Sequence, residues 1–372
     1  MNPRQSTPQS DLMKWLLEKQ NPSVRYFTLR DLLDKQENDP AVKETKTAIA
    51  TSNIVSRILS KQKSTGFWEE AESPYHPKYK STYWQVMTLA QLGMDRTDKR
   101  VEKACEFVLK LQHAEGGFSS YTESRALEEY EWMRTRTALK EKLQPEPEGW
   151  AKSLVTEHQY SCLTGNVCAA MLRIGYGGDP QVKKALKWLV KVQYSDGGWL
   201  CPYWKAHIRD THGCFYGTIC PLEAFSEVPQ DERSPEMRKA TEKGAEFMLM
   251  HRLYKADHHK FRIINRQWLK LGFPWFYGYH ILRGLSILVK LGYVNDERLS
   301  DAVSVLIQKR GKSGAWLLEA APAGRMQTNI ETVGKPSKWI TLNALKVLKN
   351  LQETKSEELK QTTSRIRNEE YS

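Results

Sequence analysis

The stretch VKKALKWLVKVQYSDGGW (182–199) decides the fold, because it joins an amphipathic helix to a distinctive turn. Apolar residues recur every three or four positions through its first part, which predicts a helix with one buried face. Gln193 then opens a Gln-x-x-x-Gly-x-Trp sequence that continues through Gly197 to Trp199. Glycine permits a tight loop, and the large aromatic ring can fill the gap between neighbouring helices.

The same turn recurs along the chain. Gln-x-x-x-Gly-x-aromatic stands at 62–68, 112–118 and 193–199, and 310–316 has arginine in place of the glutamine. Amphipathic helices are predicted at 101–112, 182–193 and 299–310, and 240–252 is a degenerate copy without the glycine and aromatic. One helix pair cannot bury its apolar face alone, so neighbouring pairs must stack into a continuous core.

A second helix in each pair is predicted at 82–94, 165–176, 217–228, 277–293 and 338–352, where apolar residues are spaced by three and four. Glycines are expected to end three of these helices, and aspartates to cap the elements that follow. These residues are Gly93, Gly175 and Gly292, with Asp98, Asp179 and Asp296. Alternating strand patterns are not evident, so the chain is predicted to be all-α.

The repeated turn resembles the repeat motif of squalene and oxidosqualene cyclases, and more weakly the β-subunits of protein prenyltransferases. NPSVRYFTLRDLL (21–33) resembles the opening of squalene-cyclase-like, prenyltransferase-repeat proteins of prokaryotes. The resemblance implies a single α/α toroid, an α/α barrel of about five to six helix pairs. We expect an N-terminal helical cap at 1–53, the toroid at 54–352 with an insertion at about 119–158, and a polar tail at 353–372.

Composition narrows the protein class. The chain has 372 residues and a net charge of +12, which fits a solvated basic surface or attraction to a diphosphate or carboxylate substrate. It has no apolar run long enough for a signal peptide or membrane span, so a cytoplasmic protein with thiol cysteines is expected. No DNA-recognition motif is present.

The segment WLCPYWKAHIRDTHGCFYGTIC (199–220) is the densest in reactive side chains. Cys201, His212 and Cys214, with Asp210 or His207 as the fourth ligand, form a set that zinc could accept. Asp210 and His212 are the predicted catalytic residues. A metal-free polar pocket and a purely structural role are the alternatives.

The resemblance does not carry either family's complete chemistry. Protein prenyltransferases hold zinc with an Asp, a Cys and a distant His, whereas Asp210 and Cys214 are four positions apart rather than two and no distant His is identified. Class II cyclases use an Asp-x-Asp-Asp acid, and this motif is absent from the sequence. Hopene-type cyclisation is therefore not expected.

Further candidates lie near the predicted starts of the second helices. His158, Tyr160, His207, Tyr277, His280 and Arg283 are predicted to bind substrate. Helix capping and core packing are the alternatives for the histidines and tyrosines. For Arg283 the choice is between a bidentate grip on an anion and an ion pair with an acidic neighbour.

Aromatic residues also gather near these helix starts, and they could line a cavity for carbocations or simply fill a wide barrel. They are Tyr83, Trp84, Tyr203, Trp204, Phe215, Tyr216, Trp275, Phe276, Tyr277, Tyr279 and Trp339. The preferred hypothesis is a terpene cyclase-like or prenyltransferase-like protein whose central cavity takes an apolar or isoprenoid substrate. The alternatives are a noncatalytic ligand-binding or scaffold protein and a zinc-dependent transferase that works with a partner subunit.

Overall fold

The computed structural model describes residues 8–136, 143, 145–200 and 212–352. The chain is all-α, and its helices form an α/α toroid with an inner and an outer layer. In chain order the α-helices are α1 (Pro8–Leu16), α2 (Pro22–Phe27), α3 (Pro40–Ala50), α4 (Asn53–Leu59), α5 (Thr82–Gln91), α6 (Lys99–Leu109), α7 (Glu123–Arg134), α8 (Pro147–Glu157), α9 (Ser161–Ile174), α10 (Pro180–Lys191), α11 (Phe215–Glu227), α12 (Pro235–Met250), α13 (Ile281–Lys290), α14 (Ser300–Gln308) and α15 (338–352).

Short elements complete the described structure. A π-helical turn, Thr28–Leu32, continues α2, and 3-10 turns cover Gln230–Glu232, His259–Phe261, Arg266–Leu269 and Glu297–Leu299. Two strands, β1 (Trp316–Leu317) and β2 (Pro336–Ser337), form an antiparallel pair just before α15. No helix among the described residues is both long and apolar enough to cross a membrane.

The inner layer consists of α5, α9, α11, α13 and α15, whereas α4, α6, α10, α12 and α14 lie outside it. Inner helices are buried on almost every face, while outer helices such as α6 and α10 bury one stripe, as an amphipathic helix does. Helices α9 and α11 pack most closely, because Gly165 lies where a Cβ atom would come 2.4 Å from the backbone of Cys220.

The repeated turn links consecutive outer helices. Gln193 Nε2 donates to Gly197 O at 2.7 Å and to Ala240 O, near the start of the next outer helix, at 2.8 Å. Gly197 has a φ of +89°, and a Cβ there would lie 2.5 Å from Lys243 O, so the turn requires glycine. Trp199 is fully buried and its indole N–H donates to Leu189 O at 2.7 Å.

The turns are also tied to the inner layer by a threonine. Thr218 Oγ1, in the first turn of α11, accepts the Trp199 N–H at 3.0 Å. Thr82, Thr164 and Thr341 do the same for the aromatic residue of their own turns, at 2.9 to 3.1 Å. Each repeat therefore carries a buried hydroxyl that the sequence analysis did not single out.

The predicted capping roles of the glycines and aspartates are confirmed. Gly93, Gly175 and Gly292 all have positive φ, and Asp98, Asp179 and Asp296 accept backbone N–H groups at the starts of the following elements. The predicted helix at 277–293 was too long at its start: it begins at Ile281, because His280 Nδ1 caps it by accepting the Arg283 N–H.

Two parts lie outside the repeats. The segment α1–α3 packs on the toroid, and ion pairs join Asp31 to Lys346 and Asp34 to Lys349, both at 2.5 Å. The insertion forms a hairpin of α7 and α8 with a small apolar core of its own, in which Ala126 is fully buried.

Candidate functional site

Residues 271–280, the bore segment, lie between inner helices of the toroid. The side-chain amide of Gln91, on α5, bonds both the N–H and the C=O of Trp275, at 2.8 and 2.7 Å. Asn166 on α9 donates to Phe276 O at 2.9 Å, and Phe273 stacks on Trp339 of α15 with ring centroids 4.4 Å apart. The bore segment therefore contacts three different inner helices of the ring, α5, α9 and α15.

A buried ion-pair network borders the bore segment. Arg283 is completely buried, and its guanidinium donates to Glu223 at 2.9 and 2.5 Å, to Phe276 O at 2.6 Å and to Asn166 Oδ1 at 2.8 Å. Arg173 donates to the other oxygen of Glu223 at 2.6 Å. Burial alone would raise the pKa of Glu223, but the two arginines outweigh it and lower the pKa.

The network continues to the C-terminal ends of the inner helices. Arg173 also bonds Glu227 at 2.6 and 2.9 Å, and Lys290 Nζ lies 2.5 Å from the second oxygen of that carboxylate. Burial would raise the pKa of Glu227, yet Arg173 and Lys290 lower it to about 2. Glu227 is therefore an anion at any physiological pH and a counter-ion rather than a proton donor.

A cavity of about 750 Å³ lies beside this network. It is bounded by the C-terminal parts of α5, α9, α11 and α13, by the length of α15, and by Tyr26, Phe27, Asp31 and Lys46 from the N-terminal segment. Aromatic rings form much of its wall: Tyr26, Phe27, Phe273, Trp275 and Trp339. This space therefore lies between the N-terminal cap and the ring.

The cavity wall also carries polar groups. Lys346 pairs with Asp31, and Lys46 pairs with Asp95 at 3.0 Å. Ser286 Oγ is buried and, within the described ranges, has no hydrogen-bond partner. A buried hydroxyl without a partner is costly, so this position is suited to a polar group of a ligand or water.

Only some of the predicted metal-binding and catalytic residues lie within the described ranges. Cys201, His207 and Asp210 lie outside the described residues. His212 is exposed, with Nδ1 3.0 Å from Gly213 O, and Cys214 caps α11 by accepting the Gly217 N–H at 3.2 Å. Within residues 8–136, 145–200 and 212–352, no three His, Cys, Asp or Glu side chains form a metal-binding group. The zinc set and the catalytic pair remain predictions.

Two predicted substrate-binding residues lie together before α9. The His158 ring meets the Tyr160 ring edge-on, with centroids 5.5 Å apart, and contacts Tyr121 similarly at 5.1 Å. His158 Nδ1 lies 2.8 Å from Leu154 O, so this nitrogen carries the hydrogen that it donates to the carbonyl. Both residues precede the start of α9, whereas the cavity is lined by Arg173 in the last turn of that helix. His158 and Tyr160 therefore lie at the end of the ring opposite the cavity.

The other three predicted substrate-binding residues within the described ranges, Tyr277, His280 and Arg283, lie in or beside the bore segment. His280 has both ring nitrogens engaged, by Gly272 O at 3.0 Å and by the Arg283 N–H at 3.3 Å. Burial and the nearby Arg283 lower the pKa of His280 to about 3, so it is neutral. Tyr277 packs edge-on against Trp84 at 5.4 Å. For Arg283 the geometry favours the ion pair with an acidic neighbour over a grip on substrate.

Some of the aromatic residues near the helix starts line a cavity, and others fill the barrel. Trp275 and Trp339 line the cavity between cap and ring. Trp84 and Phe276 pack against each other in the bore, and Phe215 and Tyr279 form a second cluster of rings. Tyr83, Tyr216 and Tyr277 do not line the cavity either, and Tyr203 and Trp204 lie outside the described residues.

The acidic and basic partners of Arg283 in the network were not predicted from the sequence. Glu223 and Glu227 stand in α11, an otherwise apolar helix, and Arg173 stands near the end of the equally apolar α9. A lone charge in an apolar, fully buried helix needs a partner, because an isolated buried charge is very costly. That signal was available, although the identity of the partners was not.

Comparison with known proteins agrees with this architecture. Residues 60–247 match the family model of the squalene-hopene cyclase C-terminal domain. Lanosterol synthase erg7A of Aspergillus fumigatus is 22% identical over 246 residues, which cover 60% of this chain. The aligned region spans only 28% of the length of that synthase.

Two solved structures are similar across most of the chain. Type II terpene cyclase MstE from Scytonema is 14% identical, with 92% of this chain and 88% of that chain covered and a TM-score of 0.42. A protein from Actinoplanes is 15% identical, with 91% and 90% covered and a TM-score of 0.41. The family match covers half of the chain, and the chain belongs to the squalene-hopene cyclase C-terminal domain family.

Proposed function

We propose that this terpene cyclase-like protein binds an apolar, isoprenoid-like molecule in the cavity between its cap and its ring. The observation that carries the proposal is the cavity itself, about 750 Å³ in volume and walled by Phe27, Phe273, Trp275 and Trp339. Ligand sites in proteins have about 300–1,000 Å³ and are mostly lined by apolar and aromatic side chains. Family membership supports the ligand class, because squalene and hopene are isoprenoids.

The residues at this cavity support binding better than acid-initiated cyclisation. Both lining carboxylates are ion-paired, Asp31 with Lys346 and Glu227 with Arg173 and Lys290. A pKa of about 2 keeps the proton off Glu227, and the sequence has no Asp-x-Asp-Asp acid. A reaction in this cavity would need an acid from elsewhere. The proposed catalytic pair, Asp210 and His212, precedes α11, whereas the cavity lies at the C-terminal part of that helix, so we do not assign the pair to this cavity.

Binding of farnesol, a neutral C15 isoprenoid alcohol, tests the proposal by isothermal titration calorimetry. Trp275→Ala removes part of the cavity wall, and burial of a large apolar side chain contributes about 1.5–3 kcal/mol, so farnesol should bind about 10-fold or more weakly. Trp132→Ala is the matched control, because Trp132 is 51% exposed and lies on the insertion.

Thermal unfolding of both variants would verify that they remain folded. Failure of the unmodified protein to bind farnesol and the corresponding acid and diphosphate would contradict the proposal. Equal weakening by Trp275→Ala and Trp132→Ala would contradict the assignment of binding to this cavity.

A further inference from the structure

We propose that the cavity between cap and ring selects an isoprenoid with a single negative charge, a carboxylate, because the ion-pair network beside it has one more positive charge than negative charges. This inference rests on the proposed function, since it concerns the same cavity and adds the head group of its ligand. It is carried by the ion-pair network and by the position of Ser286.

The charges of the connected network do not cancel. Arg173, Arg283 and Lys290 supply three positive charges, and Glu223 and Glu227 supply two negative ones. The remaining charged side chains on the cavity wall form neutral pairs, Lys346 with Asp31 and Lys46 with Asp95. Among the described residues the network therefore has a net charge of +1.

A ligand can reach the excess positive charge at Lys290, whose ammonium shares Glu227 with Arg173. Arg283 is fully buried with its donors directed to Glu223, Asn166 and backbone oxygens, so a ligand cannot reach it. The Lys290 side chain is 48% exposed and lines the cavity. Desolvation lowers the pKa of Lys290, Glu227 raises it, and Arg173 and Lys346 lower it further, so the ammonium stands in an incompletely neutralised positive field.

Ser286 supplies a hydroxyl donor beside this charge. It lies one turn before Lys290 on α13, and side chains four residues apart project from the same face of a helix. Both residues line the cavity, and Ser286 Oγ is buried without a partner among the described residues. A hydroxyl donor and an ammonium next to each other fit the two oxygens of a carboxylate.

The charge balance distinguishes a carboxylate from other head groups. One carboxylate neutralises the network, whereas an alcohol leaves the positive charge unmatched. A diphosphate brings more than one negative charge and would leave the wall negative. Lys290 and Arg173 also stand in the last turns of their helices, where the helix dipole favours cations, but this structural role would not distinguish one ligand head group from another.

Titration with farnesoic acid, farnesol and farnesyl diphosphate at pH 7.5, roughly the physiological value, tests the inference by calorimetry. A charge-assisted hydrogen bond contributes about 1.5–3 kcal/mol, so the acid should bind about 10-fold or more tightly than the alcohol. Lys290→Met should remove that advantage, so that the acid and the alcohol bind this variant with similar affinity. Lys187→Met, an exposed lysine on α10, is the matched control and should keep the advantage.

Ser286→Ala provides a second test with a smaller change, and should reduce the advantage of the acid about 3-fold or more. Equal binding of acid and alcohol, or tighter binding of the diphosphate, would overturn the inference while leaving an apolar ligand in place. Preserved selectivity in folded Lys290→Met would overturn it as well. Failure of all three ligands to bind would instead contradict the proposed function.

Discussion

Replacement of Glu227 by glutamine should destabilise the protein at neutral pH and do so progressively less in acid. Glu227 accepts hydrogen bonds from Arg173 and Lys290, and its side chain is only 14% exposed. Glutamine keeps the shape but has no charge, so it imitates the protonated state of the carboxyl group. The difference between the two proteins therefore reports the free energy that the carboxylate contributes.

The magnitude follows from the two pKa values of Glu227. The group titrates at 4.5 when unfolded and at about 2 in the folded protein, a difference that corresponds to about 3 kcal/mol. Because the folded pKa is the lower one, this stabilisation is complete above the unfolded value and is lost as the pH falls through the folded value. At pH 3 about 1.5 kcal/mol should remain, at pH 2 about 0.4 kcal/mol, and near pH 1 almost nothing.

Urea unfolding at several pH values between 7 and 3, followed by circular dichroism, measures this difference. The exposed Glu232→Gln variant is the control and should differ from the unmodified protein by less than about 0.5 kcal/mol throughout. A loss for Glu227→Gln that stays constant from pH 7 to pH 3 would refute the electrostatic explanation, and a loss below about 1 kcal/mol at pH 7 would refute the ion pairs.

Three other changes test separate features. Glu223→Gln should cost about 3–5 kcal/mol of unfolding free energy, because it leaves buried arginines without their carboxylate. The double variant Glu223→Leu, Arg283→Met should cost less, since an unpaired buried charge is worse than none. A cost of the double variant that equals the sum of the two single-variant costs in urea unfolding would contradict this. Gly165→Val should lower the melting temperature by the equivalent of at least about 2 kcal/mol, because its Cβ would meet the backbone of Cys220. Gly178→Val is the control and should not lower it, because the space around a Cβ at Gly178 is open. Equal shifts in the two variants would contradict the close contact between α9 and α11. Cys214→Ser should preserve stability, because serine is a good N-cap. A large drop in melting temperature would contradict the capping role, and loss of one zinc per chain by elemental analysis would support the predicted role of Cys214 as a ligand.

Local patterns were sufficient to predict the repeated turns. Gln112, Gly116 and Phe118 lie within seven consecutive residues, and Gln112 Nε2 indeed donates to Gly116 O at 2.9 Å. The threonine that completes the turn was missed, because it stands 14 residues after Trp68 but 46 residues after Phe118. An interaction whose spacing changes from one repeat to the next leaves no periodic signal.

The contents of the bore could not be predicted for a similar reason. Helix spacing indicates that α13 is amphipathic, but it does not indicate that residues 271–280 turn into the ring. Arg283 meets Glu223 across 60 residues and Asn166 across 117 residues. Whether such an arginine binds a substrate or a neighbouring carboxylate depends on these long-range contacts, so sequence alone left both interpretations open.

The cavity was missed for the same physical reason. Its wall combines Phe27 and Asp31, near the start of the chain, with residues such as Trp339 from α15. The N-terminal segment is predicted to be a cap, but no pattern in its sequence indicates a ligand beneath it. Reactive residues at the starts of the inner helices drew attention to the opposite end of the ring.

The ion pairs that close the cap on the ring also have a consequence for synthesis of the chain. Asp34 and its partner Lys349 are separated by 315 residues. A ribosome adds about 5–20 residues per second, so the cap must wait about 15–60 s for the helix on which it closes. During that interval Phe27 and the faces of the unfinished ring remain uncovered, and nascent chains of this protein should be clients of chaperones until α15 emerges.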